Sequence, residues 1–173
     1  MSRKSFSKLL MAACLIMVPA ITRATTITSG SISITGTVDQ FAEWASVTNI
    51  AATDFSGHIT GTNQTKTAHT DLTLYTNLDV TIAATAGTNS GILTDASSNT
   101  LVTAYDITSA AISVDPGMQA AAAFFNVANT YSLVHTAGTG SYTVRLTVSM
   151  SSPTNSAPDA GNYSCGLALT ASF

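Results

Sequence analysis

The chain has 173 residues, six of them Lys or Arg and nine Asp or Glu, for a formal charge of −3. A chain so poor in cations has no electrostatic grip on nucleic acid or anionic lipid, and neither is expected as a partner. Its polarity comes instead from Thr, Ser and Asn, which suit pleated strands and turns, so the composition points to an all-β domain.

The first two dozen residues are set apart. Arg3, Lys4 and Lys8 precede the short apolar run "LLMAACLIMVPA", and "ITRA" supplies Ala24 with Thr22 two positions before it. This is the layout of a secretory signal peptide, too short and wrongly flanked for a spanning helix. Ala24 is the expected cleavage point, with Ala20 as the competing one. Met11-Ala12-Ala13-Cys14 faintly matches a lipoprotein site, but the apolar run continues past it. Residues 1–24 are therefore expected to leave a secreted chain with no membrane span. Only Lys66 and Arg145 then remain as basic residues against nine acids, a formal charge of −7.

Beyond residue 24, "SISITGTV" places Ile32, Ile34, Gly36 and Val38 on one side of a strand, with Ile27 out of phase before Ser29-Gly30. "DLTLYTNLDVTIAAT" offers the alternations Leu72/Leu74 and Leu78/Val80/Ile82/Ala84, with a turn or bulge at Thr76-Asn77. Further strands are expected around Leu101–Ile107 and Ala111–Val114. "DPGMQAAAAFFNVAN" predicts the single helix, over 116–128, capped by Asp115 with Pro116 in its first turn. Met118, Ala122 and Phe125 would face inward. "NTYSLVHT" reads as a short strand. "SYTVRLTVSM" alternates from Tyr142 to Met150. After a loop rich in Ser, Pro and Asn, the closing "YSCGLALTASF" puts Tyr163, Cys165, Leu167, Leu169, Ala171 and Phe173 on one face. Short strands separated by turn signals, with one short helix, predict a β-sandwich spanning 39–173 as a single domain.

Catalytic chemistry leaves no signature. His58, His69 and His135 fall in no ligand spacing, the nine acids are scattered singly, and neither "GTNSG" nor "GTGS" sits between a strand and a helix. No serine stands in G-x-S-x-G. No cofactor or metal is expected, and the protein is not read as an enzyme. Once Cys14 has gone with the signal, Cys165 is alone, and a buried structural thiol is its plainest role.

The closing strand raises a structural question. Its apolar face and its hydrogen-bonding edges need neighbours, supplied by the same sandwich or by a strand added from another chain. The uncharged "TTITSGSISITGTV" ahead of the domain would make such a strand. "DAGNYSCGLALTASF" resembles the closing segment of chaperone–usher pilins, in particular the spore coat protein U-like branch. Gly161, Tyr163, Leu167, Leu169 and Phe173 take the family's places. "SISITGTV" is similar to the family's donor segment, and "ATDFSG" to a short turn that follows it. The resemblance implies an immunoglobulin-like (pilin-type) sandwich lacking its last strand. Its acceptor groove would be lined by Tyr163, Cys165, Leu167, Leu169 and Phe173, and filled by Ile27, Ile32, Ile34, Gly36 and Val38 of an identical or related subunit. It further implies a periplasmic chaperone, an outer-membrane usher and a surface fibre or coat as the destination. The disulfide of many such pilins is absent. The alternative is a self-contained secreted sandwich binding glycan or a host surface, with Trp44, Tyr75 and Tyr105 as an aromatic platform.

Overall fold

Two antiparallel sheets face one another in the computed structural model, which describes Ser33 and residues 35–173. Eight strands follow in chain order: β1 (Ala42–Ser46), β2 (Thr65–Thr76), β3 (Val80–Ala86), β4 (Val102–Thr108), β5 (Gln119–Ala120), β6 (Thr130–Leu133), β7 (Ser141–Ser151) and β8 (Leu167–Ser172). One sheet has the order β1-β2-β7-β4-β5 and the other β6-β3-β8. The only α-helix among the described residues is the single turn α1 (Ala121–Phe124). The chain is an all-β sandwich.

Period-two patterning explains the core. β2 and β7 pair from Thr65 opposite Ser151 to Tyr75 opposite Ser141. Leu72 and Leu74 on one strand, and Tyr142, Val144, Leu146 and Val148 on the other, all turn inward. Tyr105 and Ile107 from β4 meet Val80, Ile82 and Ala84 from β3, and Tyr131 and Leu133 from β6. The alternate residues form the outer face, where Arg145 forks onto Asp71 at 2.7 and 3.0 Å. That hydrogen bond, more than the accompanying attraction of opposite charges, holds the Asp71 carboxyl below its ordinary pKa.

Four sequence expectations change. The helix over 116–128 shrinks to one turn. Gly117 takes φ +75, and Asp115 accepts from the Gly117 amide at 2.7 Å in a local turn instead of capping a helix. Gln119 and Ala120 then pair with β4, a use of the backbone that excludes helix. Met118 is consequently 44% exposed and Ala122 exposed, while Phe124 takes the fully buried place. Thr76-Asn77 does not join a hairpin but carries the chain from one sheet to the other. The expected strand at 111–114 reduces to one bridge, Ile112 to Leu133. β1 and the first half of β2 were not visible as strands, because "AEWAS" and "TKTAHTD" have no run of large apolar residues at every second place.

At the N-terminal side, Ile27, Ile32 and Ile34, together with the expected signal peptide, lie outside the described residues. Gly36 and Val38 are described. They belong to no strand within this chain, and Val38 is 80% exposed. An isolated strand lacks ladder partners and does not persist alone. Asn77 ties the approach to β1 to the domain: it receives the Phe41 amide on Oδ1 at 3.0 Å, and donates Nδ2 to the Asp39 carbonyl at 2.8 Å.

Ile82 is fully buried where β3 crosses the core. We expect Ile82→Ala to destabilise the domain by about 2–5 kcal/mol, through lost burial and an unfilled cavity. Urea unfolding followed by far-UV circular dichroism will show this as a lowered midpoint with an unchanged slope.

Candidate functional site

The last strand, β8, has a neighbour on one side only. It pairs with β3 from Ala86 opposite Leu167 to Thr81 opposite Ser172, and no described strand lies on its other edge. Just before the strand, Ser164 exchanges both backbone hydrogen bonds with Thr94. Gly166 bonds to Gly87 and Thr88 at 2.8 and 3.1 Å. Since residues of a strand alternate in the edge to which they offer N–H and C=O, those of Cys165, Leu167, Leu169 and Ala171 face the unpaired edge. These four side chains are also the ones turned toward the core. The strand thus offers an open ladder and an apolar stripe together.

Beside that edge lies a cleft of about 1150 Å³. One wall is Tyr163, Cys165, Leu167 and Leu169, and the floor is Leu72, Leu146, Val148 and Met150 from β2 and β7. The facing wall is Trp44 of β1 with Val47, Ile50, Phe55 and Ile59 from the connection to β2. β1 is the outermost strand of its sheet as β8 is of the other, so the cleft is the place where the sandwich stands open.

Local geometry shapes both walls. The segment 47–61 contains a single 3-10 turn, Ala52–Asp54, in which Asp54 Oδ2 accepts from the Ala51 amide at 2.6 Å. The Ser56 amide then donates to the Thr67 carbonyl at 3.1 Å, tying the segment to β2. On the other side Gly87 and Gly166 cross so closely that a Cβ on Gly87 would stand 2.9 Å from the Gly166 carbonyl carbon. Gly91, at φ +69, admits the Phe125 ring where a Cβ would be. Phe125 meets Tyr105 edge-on at 5.2 Å and Phe124 stacks on Tyr105 at 5.0 Å.

Tyr105 connects this aromatic cluster to the cleft. Its hydroxyl donates to the Gly91 carbonyl at 2.5 Å and shares a hydrogen bond with Cys165 Sγ at 3.1 Å. Burial, then the bond to Cys165, pushes the phenol pKa well above its ordinary value, so the group stays neutral and available as a donor. The thiol is half-buried at the cleft wall, more open than the buried structural role expected of it.

The structure therefore brings Tyr163, Cys165, Leu167 and Leu169 together as one wall. Phe173 does not join them: it is 68% exposed and is not part of the lining. Its phase is inward as expected, but pairing stops at Ser172 and the cleft ends at Leu169, which leaves its ring nothing to pack against. The aromatic platform does not form either. Trp44 lines the cleft, Tyr105 is fully buried and Tyr75 is 43% exposed on the outer face of β2. Of the facing wall, from Trp44 to Ile59, the sequence singled out Trp44, but for an aromatic platform, and left Val47, Ile50 and Ile59 without a role. Phe55 stood in the quoted "ATDFSG" turn, and the place of the wall in space depends on β1 pairing with β2. Among the described residues no three His, Cys, Asp or Glu side chains converge, and no helix is long and apolar enough to cross a membrane.

Tyr105→Phe will leave the Gly91 carbonyl without its donor. We expect a loss of about 1–3 kcal/mol in urea unfolding, the cost of an unsatisfied buried polar group. Tyr105→Phe should also raise the rate at which a small disulfide reagent reaches Cys165, read from the absorbance of the released thiolate.

No family model matches this chain, and none of the curated proteins compared with it does.

Proposed function

We propose that the protein is a non-enzymatic structural subunit that assembles by strand addition, each copy filling the cleft of the next with its N-terminal segment. The observation that carries this reading is the unpaired edge of β8 beside an apolar cleft of about 1150 Å³. A sheet edge with free N–H and C=O groups and alternate apolar pockets takes an extended peptide, the backbone supplying affinity and the side chains specificity. Residues 25–38 suit the task. They are uncharged, and Ile32, Ile34 and Val38 recur at the strand period with Gly36 among them. Fourteen extended residues reach about 46 Å at ~3.3 Å each, longer than the wall from Tyr163 to Leu169.

In this reading the sandwich is of the immunoglobulin-like, pilin type, and Ile27, Ile32, Ile34, Gly36 and Val38 are the donated residues. The chain is secreted after removal of residues 1–24. A periplasmic chaperone holds the cleft before a related or identical subunit does, an outer-membrane usher passes the chain outward, and the product is a surface fibre or coat. Head-to-tail contacts of this kind do not close, so they propagate as a filament. Each large apolar side chain seated in the cleft contributes about 1.5–3 kcal/mol, and two or three of them rival the stability of a domain.

The test is electron microscopy of the exported protein beside Ile34→Asp and Leu167→Asp variants. Fibres are expected from the parent and from neither variant, at equal levels of export. A synthetic peptide of residues 25–38 should slow reaction of Cys165 in monomer by at least tenfold. Normal fibres from Ile34→Asp, or no protection of Cys165, would overturn the proposal.

A further inference from the structure

Three exposed apolar side chains gather outside the cleft, at the end of the sandwich where the chain crosses from β2 to β3. Residues 77–81 anchor three separate segments there. Asn77 Oδ1 accepts from the Phe41 amide at 3.0 Å, Asp79 Oδ1 accepts from the His135 amide at 2.7 Å, and Thr81 pairs with Ser172 of β8. Five consecutive residues span no more than about 14 Å, so the three segments converge. Each leaves a large apolar side chain in the open beside its anchor: Phe41 is 41% exposed, Val134 47% and Phe173 68%. Asp39, Asp79, His135 and Ser172 are the polar residues around them. An apolar group rimmed in this way marks a contact surface.

The attachment of the donor segment identifies what meets this surface. Asn77 Nδ2 donates to the Asp39 carbonyl at 2.8 Å, so the residue after Val38 is bound to the same connection. No slack separates the last donated residue from its own domain. With Val38 seated in a neighbour's cleft, Asp39 stands only ~3.5 Å of chain beyond it. Phe41, Val134 and Phe173 are thereby carried against the rim of that cleft. The cleft reaches the surface at one end. Its lining stops at Trp44 and Leu169, short of Ala42 and Ala171. At the other end it runs out through Ile59, Gly61 and the largely exposed loop 157–162.

We propose a second contact between subunits, one that rests on the strand-addition reading: Phe41, Val134 and Phe173 seat on the cleft rim of the copy that receives the donor segment. The partner is a second copy of this chain, and the receiving surface is Ile59–Gly61 with loop 157–162. Ile59, Ala157 and Pro158 supply apolar atoms there. Three side chains fall far short of the ~800 Å² per partner of a free-standing interface, so the patch does not dimerise the protein alone. Once the strand has joined two copies, the contact is intramolecular in effect, and a small patch suffices. The two surfaces differ, so the contact repeats head to tail with the strand. A strand alone is a single tether; the added contact fixes the angle between successive subunits.

The experiment compares the exported protein with a Val134→Lys/Phe173→Lys double variant. Both side chains are exposed, so the 25–38 peptide should protect Cys165 in the variant as in the parent. Fibres of the variant should need at least about tenfold more protein to appear, since charge replaces apolar surface at the contact. In a Cys165→Ser background, Phe173→Cys combined with Ala160→Cys should give disulfide-linked ladders on a non-reducing gel. Phe173→Cys combined with Thr143→Cys, on the outer face of β7, should give none. Variant fibres at the parent's concentration, or no Phe173–Ala160 ladder, would overturn this contact while leaving strand addition in place. Failure of the peptide to protect Cys165 in the parent would overturn both. A dimer that persists without residues 25–38 would give the patch a different partner surface and overturn the contact.

Discussion

The unpaired edge of β8 is the constraint on which the rest of the molecule turns. A strand that buries one face must have both its side chains and its backbone groups accounted for, and β3 accounts for only half of the latter. The three-stranded sheet is thus narrower than the five-stranded sheet it faces, which leaves Leu72, Leu146, Val148 and Met150 looking into a cleft. Most proteins blunt such an edge with charge, proline or a bulge. Here the edge residues are Cys165, Leu167, Leu169 and Ala171, none of which does so. An edge of this composition is what the proposed strand addition requires.

What keeps the cleft open is the rigidity of its surroundings. The β2–β7 ladder is the longest pairing in the described chain and forms the floor. Behind the β8 wall, Tyr105 holds the Gly91 carbonyl and Cys165 together, and is itself clamped between Phe124 and Phe125. Across the cleft, the 3-10 turn and the Ser56–Thr67 bond hold Phe55 and Ile50 in place. A groove with preset walls loses less conformational entropy when a strand enters it than a flexible one would.

The segment after β4 continues through β5 into α1, and α1 delivers Phe124 beneath Tyr105. Gly117 makes this route possible, because its φ of +75 ends any helix before it begins and frees Gln119 and Ala120 to pair with β4.

Much of this was legible in the sequence. The alternations from Tyr142 to Val148 and from Val80 to Ala84, and the wall residues Tyr163, Cys165, Leu167 and Leu169, follow from a period of two, which is a local property of the chain. Other features were decided in three dimensions. Helix propensity in the alanine run yielded to strand pairing by Gln119 and Ala120, since a ladder bond to β4 outweighs a few tenths of a kcal/mol per residue of preference. The wall from Trp44 to Ile59 has no periodic signal and exists only because β1 docks on β2. Phe173 continues the apolar phase but is exposed, because a pattern specifies which way a side chain points and not whether anything stands there to meet it. Local alternation thus determined the strands and their inward faces, whereas sheet order, and with it the open edge, belongs to the tertiary structure, where long-range pairing decides which backbone groups are left over.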